Sequence, residues 1–414
     1  MKVSRNSMLA IVAMLVALSV GSFVLRQNSL NRSRSFSKDP TLHQQVGLAV
    51  NQEGVLTLNG KPFRGIGVDY YNLFSSHLEN PSDQSYISGL RQLELHHIPF
   101  ARFMATGYWP KDLRVYETDP AQYWNLMTDV VDQAQRDHIG LIPDFFWTTF
   151  TVPDLVGESV SQWGNPSSKT IRFMKTYVNQ FLSRFKNSPA IWGYEFGNEF
   201  NNAVDIPDWK THLPPINIKE GTPAVRTSAD RLTSSEIEVA FTAFAREIRA
   251  SDPTRVIESG NSIDRISAWH QKHGNSWVTD SQSEFSKMLA YLNPPPFDMT
   301  SVHYYPGKKL LPPFSSNLAY LKFLNQIAVA NRQPLFVGEF GAESAADVSS
   351  VQTKQTFGAL LQAVVSSGTP LAALWVYDYP KQPNWSVTFT NSRTYQLAEI
   401  EHANSVILRG TSGS

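Results

Sequence analysis

Two glutamates stand where short apolar runs break off. The run Ile191-Trp-Gly-Tyr-Glu-Phe-Gly-Asn-Glu-Phe200 stops at Glu199, and Pro334-Leu-Phe-Val-Gly-Glu-Phe-Gly341 stops at Glu339. A parallel strand buried on both faces is apolar throughout and turns polar only where it emerges at its carboxyl end. In a barrel of alternating strands and helices, that end carries the active site. Two carboxylates delivered there from different strands are the minimum apparatus for cleaving a glycosidic bond. One must hold a proton for the leaving oxygen, while the other, ionised, attacks the sugar carbon. The plain alternative is two surface glutamates at strand ends, but each sits inside an apolar run and not on a polar helix face.

The elements that must position the pair alternate along the chain. Strand-like runs fall at residues 63–69, 99–103, 141–146, 191–195, 255–260, 299–304, 335–339 and 371–377. Helical periods lie between them, at 82–95, 119–137, 170–185, 233–250, 284–292, 316–331 and 351–366, and a last one closes the chain at 394–408. Asp119-Pro120 reads as an N-cap followed by proline at the first helical position, and Thr233-Ser-Ser-Glu236 as a capping box. Eight strands in this rhythm point to an α/β fold, a (β/α)8 TIM barrel. A doubly wound open sheet is the alternative, weakened by the lack of any GxGxxG or GxxxxGK[ST] phosphate loop. Ahead of the first strand, residues 55–63 read as a small hairpin turning at Asn59-Gly60, a plug for the barrel floor. Residues 201–232 interrupt the rhythm with four prolines. A loop of that length after the Glu199 strand is expected to overhang the cleft, with Trp209 as its stacking residue.

Composition narrows the partner. Lys+Arg and Asp+Glu are both 36, so the formal charge is zero. A nucleic-acid binder would need a basic excess, whereas a neutral sugar suits a neutral protein. There is no cysteine, which excludes disulfides, thiolate nucleophiles and Cys-bound zinc. No HExxH is present, and neither a metal nor a cofactor is expected. At the N-terminus, Lys2 and Arg5 precede an uncharged apolar run from Met8 to Leu25, with further basic residues after it. Residues 1–26 are expected to be a signal peptide or membrane anchor, 27–45 a polar linker, and 46–414 the catalytic domain. The protein is therefore expected to be exported, to touch a membrane only through that segment, and to be a monomer.

Further residues carry a family resemblance over nearly all of 55–408. Asn198-Glu199 after strand four and Glu339 at the end of strand seven resemble the paired glutamates of the retaining (β/α)8 glycoside hydrolases, family 5 most closely, the cellulase and mannanase family. In register with that pattern are Arg102 on strand two, His303 and Tyr305 on strand six, and Trp375 on strand eight. The resemblance implies a retaining hydrolase of β-linked glycans with Glu339 as nucleophile and Glu199 as acid/base. Arg102 and Tyr305 would then favour charge at Glu339, and a dry, aromatic-lined setting would favour the proton at Glu199. Asn198 would hydrogen-bond the sugar 2-hydroxyl, and Trp375 would floor the subsite. The pair should lie about 5–5.5 Å apart.

Taken singly these residues are weak signals: a lone strand arginine is more often an ion-pair partner, and a lone tryptophan more often core. The order of four roles along the strands carries the specificity. One departure stands out. Where many family members have a histidine near the end of strand three, this chain has Asp144 and Trp147. Glu195 and Glu258 are read as supporting or ion-pair residues. Of Tyr71, Trp109, Trp147, Trp163, Trp209, Trp269 and Trp385, a few should line the cleft and at least half should be packing. Tyr71, Trp109, Trp147 and Trp209 are the possible subsites. The rival from another class is a non-catalytic glycan-binding barrel, which a missing glutamate would mark; a transglycosylase would differ only in the acceptor.

Overall fold

The computed structural model describes residues 46–305, 307, 309–344 and 350–411. The expectations for the signal or anchor at 1–26 and for the linker at 27–45 lie outside the described residues. Among the described residues no helix is long and apolar enough to cross a membrane.

Three short strands open the domain, β1 (Leu48–Val50), β2 (Leu56–Leu58) and β3 (Lys61–Pro62), paired antiparallel in that order. Asn59 (φ 51°) and Gly60 (φ 81°) join β2 to β3 with both central residues left-handed, the turn that matches strand twist. Leu48 and Leu56 pack with Phe100, Ile142, Val256, Phe336 and Leu371, which lie at or near the starts of their strands. The small sheet therefore plugs the amino-terminal end of the barrel.

Eight parallel strands follow: β4 (Gly65–Asp69), β5 (Phe100–Met104), β6 (Gly140–Phe146), β7 (Gly193–Gly197), β8 (Val256–Glu258), β9 (Thr300–Tyr304), β10 (Leu335–Phe340) and β11 (Leu371–Leu374). Their order in the sheet, β8-β7-β6-β5-β4-β11-β10-β9, is sequence order wrapped on itself. All their residues are buried, as strands covered on both faces must be. The seam between β8 and β9 has no ladder. Asp298 bridges it, its N–H donating to the Ile257 carbonyl and its Oδ2 accepting from the Ile257 N–H, both at 2.8 Å. This is the (β/α)8 fold expected, with strand ends displaced by at most three residues.

The helices present apolar stripes to the strands. In Lys169–Phe185, Ile171, Met174, Val178, Phe181, Leu182 and Phe185 are buried, and Ser168 caps the Ile171 N–H at 3.0 Å. Asp119 caps Pro120–Arg136, and Thr233 with Glu236 forms the capping box of Ser234–Arg249. Short helices at Ser75–Glu79, Thr151–Leu155 and Ala268–Gly274 carry too few turns to show a period in sequence.

The 201–232 insertion is irregular but fastened. Arg226 makes a bidentate pair with Asp154, 2.7 Å on each side, and lies over the Phe150 ring. Both charged groups are buried, 3% and 0% exposed. Burial pushes the Asp154 carboxyl up while the guanidinium draws it down. Arg226→Ala should therefore cost about 3–5 kcal/mol, the usual penalty for stranding a buried charge. Urea unfolding checks this, and restoring most of the loss with Arg226→Met/Asp154→Leu would show that stranding is the cause. A loss below about 1 kcal/mol would mean the clamp is not made.

Candidate active site

At the carboxyl end of the barrel lies a cavity of about 1610 Å³. Its wall holds Glu199, Glu339, Asn198, Tyr305, Trp375, Tyr71, Trp109 and Trp147. Arg102 and His303 sit behind that wall, both fully buried. One sequence expectation fails: Trp209 does not line this cavity but a separate one of about 220 Å³ with Phe150, Ile206 and Leu213. The insertion turns that stretch of chain away and reaches the main cavity with Asn217 and Glu220 instead.

Glu339 is the better buried of the two glutamates, its side chain 6% exposed against 29% for Glu199. Its two oxygens are divided between two donors. Arg102 Nη1 donates to Oε1 at 3.1 Å, and the Tyr305 hydroxyl donates to Oε2 at 2.5 Å. Burial, then the Glu339 charge, pushes the Tyr305 phenol well above its ordinary range, so it remains a donor. Glu199 leaves β7 in a left-handed conformation, φ 53°, which swings its side chain off the strand line and into the cavity. Its backbone N–H is held by the Gly260 carbonyl at 2.8 Å. Asn202 Nδ2 donates to its Oε2 at 2.9 Å, and His303 Nδ1 lies 3.1 Å from its Oε1.

The dry setting expected for Glu199 is thus not found; Glu339 has the drier place. What distinguishes Glu339 is its direct contact with the Arg102 guanidinium. His303 Nδ1 stands between them, 3.4 Å from Glu339 Oε2. One oxygen of each glutamate and a His303 nitrogen lie within 4.8 Å of one another. Three such groups could also ligate a metal ion. Arg102 and Tyr305 already occupy both Glu339 oxygens, however, which suits a carboxylate held for its charge. A second trio, His270, Asp280 and Glu284, is equally close, but Asp280 binds the Trp269 and His270 N–H groups and Glu284 caps Ser281.

Arg102 is the hub. Its Nε donates to both Glu195 oxygens at 2.8 and 2.9 Å, and Nη2 reaches Glu195 Oε1 at 2.5 Å and Asn198 Oδ1 at 2.8 Å. Nη1 also reaches Asp69 at 2.7 Å, and Asp144 lies 3.2 Å from Nη2. Burial works against its charge, yet Glu195, Asp69 and Glu339 hold the guanidinium well above its usual value. Glu195 is the ion-pair residue expected. Glu258 touches no cation among the described residues; its Oε2 accepts the Gly260 N–H at 3.3 Å. Gly260 is required here, since a Cβ would fall 1.8 Å from the Gly197 carbonyl oxygen and 2.8 Å from the Glu195 carboxyl.

Aromatic groups floor the cavity. Trp375 is half-buried, its Nε1 donating to Gln382 Oε1 at 3.0 Å, and it stacks against Trp147 at 5.9 Å and 26°. Trp147 lies 4.9 Å above the Arg102 guanidinium. Four of the seven aromatics named from sequence reach the wall (Tyr71, Trp109, Trp147 and Trp385), one more than expected. Trp163 is core, and Trp269 packs on His273. Sequence reasoning missed Tyr108, Tyr379, Asn72, Asp112 and Gln382 in the wall. Tyr379 and Gln382 follow directly on strand eight, and Asp112 follows strand two, so their position after a strand end was the available signal.

The sequence matches the family model described as Cellulase (glycosyl hydrolase family 5) over residues 56–379. The chain belongs to glycosyl hydrolase family 5 and is a glycoside hydrolase. No curated protein sequence matches it. Among solved structures it resembles a family 5 mannosidase from Rhizomucor miehei, with 13% identity, TM-score 0.61, and 89% of this chain and 99% of that one covered. The endo-1,4-beta-mannanase of the same organism gives 16%, 0.59, and 88% and 99%. The beta-glucanase of Saccharophagus degradans gives 17%, 0.53, and 89% and 94%.

Because Trp375 offers its face to the cavity and Trp209 lies outside it, the two should separate kinetically. Trp375→Ala should raise KM for a soluble glycan roughly two- to tenfold, from about 0.5–1.5 kcal/mol of stacking. Trp209→Ala should leave it within about twofold. Initial rates on one substrate check both, and equal effects would return Trp209 to the binding surface.

Proposed function

We propose that this enzyme is a retaining glycosidase of β-linked glycans, with Glu339 as nucleophile and Glu199 as acid/base. The observation that carries the reading is the approach of one oxygen from each glutamate to within 4.8 Å. Oxygens this close are compatible with the carboxyl separation of about 5–5.5 Å in retaining enzymes, against about 6.5–9.5 Å in inverting ones, which must admit water. The assignment of roles rests on the donors: Arg102 and Tyr305 each hold one oxygen of Glu339, leaving the carboxylate fixed for attack. Glu199, 29% exposed and within reach of Asn202 and His303, is positioned to exchange protons with leaving group and water.

In the first step the Glu339 carboxylate attacks the anomeric carbon, and the glycosidic bond breaks as its oxygen takes the Glu199 proton. The glycosyl-enzyme ester is then attacked by water, whose proton passes to Glu199, and Glu339 leaves as carboxylate. Asn198 accepts from Arg102 through its Oδ1, so its amide N–H₂ is left to donate to the sugar 2-hydroxyl, a contact that tightens as the ring gains positive charge. Trp375 lays an apolar face against the sugar C–H bonds. The mannosidase, mannanase and beta-glucanase likenesses support a β-linked hexose polymer, mannan or glucan, as substrate.

Removing each glutamate in turn tests the division of labour. Glu339→Ala should abolish turnover, and external azide should restore it with inverted product by occupying the vacated nucleophile position. Glu199→Ala should keep the first step for dinitrophenyl glycosides, which need no proton, and azide should then release a retained product. Product stereochemistry read by NMR decides the roles; swapped outcomes would exchange the two residues, and full activity in both variants would remove the site.

A further inference from the structure

Behind the catalytic wall the barrel carries more acids than one arginine can balance. Asp144 on β6, Glu195 on β7 and Glu258 on β8 are directly opposed in register on neighbouring strands. All three are buried. Neighbouring strands lie only about 4.8 Å apart, so the three carboxyl groups share one small volume. Asp69 on β4 and Glu339 on β10 border it, Arg102 on β5 is the cation in contact with it, and His303 on β9 faces Glu199 and Glu339.

The hydrogen bonds divide the acids unequally. Both Glu195 oxygens accept from Arg102. Asp144 Oδ1 and Glu258 Oε1, by contrast, are buried without a hydrogen-bond partner, as is Asp69 Oδ2 on the far side of Arg102. An ionised oxygen stranded in this way is costly, whereas a protonated one is itself a donor and needs only an acceptor. The acceptor at hand is Glu195, which lies between the two.

We propose that Asp144 and Glu258 are neutral carboxylic acids that donate hydrogen bonds to an ionised Glu195, so that the domain folds with two protons bound behind its active site. Burial pushes both acids well above the usual carboxylate range, and the Glu195 charge adds to this. Burial opposes the Glu195 charge too, but Arg102 and the bonds from Glu258 and Asp144 hold it at about 2. The consequence rests on the proposed role of Glu339. With Asp144 and Glu258 neutral, Arg102 is shared by fewer charges, Glu195 and Asp69 behind and Glu339 in front. Asp144 and Glu258 are thus positioning residues.

The sign is distinctive. An acid whose folded pKa is raised stabilises the fold fully below its unfolded value, about 4.3 for glutamate, and loses that contribution as pH rises towards the folded value. Glu258→Gln keeps the donor and needs no proton, so it should escape the loss. Urea unfolding of wild type and variant at pH 5, 6 and 7 should show the ratio of their unfolding constants moving in the variant's favour by up to about tenfold per pH unit. A flat ratio, or one favouring wild type as pH rises, would overturn the proposal, since an ionised Glu258 gives the opposite slope. No glycan enters this measurement, so it fails separately from the glycosidase reading. Infrared spectra of the wild type at pH 7 provide a second reading that needs no variant. A protonated-carboxyl C=O band is expected, and its absence would also overturn the proposal. In the active enzyme, the acidic limb of the kcat/KM profile should stay in place in Glu258→Gln and move in Glu195→Gln, which a purely structural role would not predict.

Discussion

A guanidinium taken out of water must find a partner for every N–H, and Arg102 finds them among residues from four other strands or the loop that follows one of them. Desolvating such a cation is costly, and only geometry that satisfies all its donors offsets the cost. That requirement works outward as a constraint. Glu195 is gripped from Nε and Nη2, Asn198 is turned so that its amide faces the cavity, and Glu339 is held by Nη1 while Tyr305 holds its other oxygen. The placement of the reactive carboxylates is therefore a by-product of solving one burial problem. A strand barrel supplies the rigidity this needs, because each contributing residue sits on a ladder or one or two residues beyond it.

Exposure and charge pull in different directions at the paired glutamates. Glu339 is the drier of the two, yet the arginine and the phenol each hold one of its oxygens by a hydrogen bond. Glu199, with Asn202 and His303 as neighbours, keeps contact with solvent, which suits the acid/base role proposed for it. The left-handed backbone at Glu199 belongs to the same logic. A residue continuing the strand would point into the barrel with Glu195, and the turn places it in the cavity.

Much of this was legible in the sequence, and the reason is local. Buried parallel strands betray themselves as apolar runs, N-caps and capping boxes as short polar signatures, and the β2–β3 turn as Asn-Gly. The positions of Glu199, Glu339, Asn198, Tyr305 and Trp375 follow from strand ends, which periodicity locates to within a few residues. What could not be read depends on which side chains meet across the barrel. Trp209 was placed in the cleft because its loop leaves the Glu199 strand, but the Arg226–Asp154 pair, 72 residues apart, decides how that loop folds back. Asp144, Glu195 and Glu258 look like three separate strand acids until register sets them side by side. The greater dryness of Glu339 likewise depends on neighbours contributed by β4, β5 and β9.

The departure at strand three bears on both layers of the site at once. Asp144 enters the acid row behind Arg102, and Trp147, three residues on, covers the guanidinium from the cavity side. The same indole ring then stacks on Trp375 and meets Tyr71 edge-on at 4.8 Å. A cation under an aromatic face gains from the ring quadrupole and is shielded from water by it. The floor of the sugar cleft is thus also the lid of the charge hub. A change that tilts Trp147 to suit a different sugar would admit water to Arg102 and weaken its hold on Glu339. On the proposed assignment, substrate preference and the charge of the nucleophile are coupled through one side chain, and adjusting the first without the second requires the floor to be rebuilt from Trp375 or Tyr71 instead.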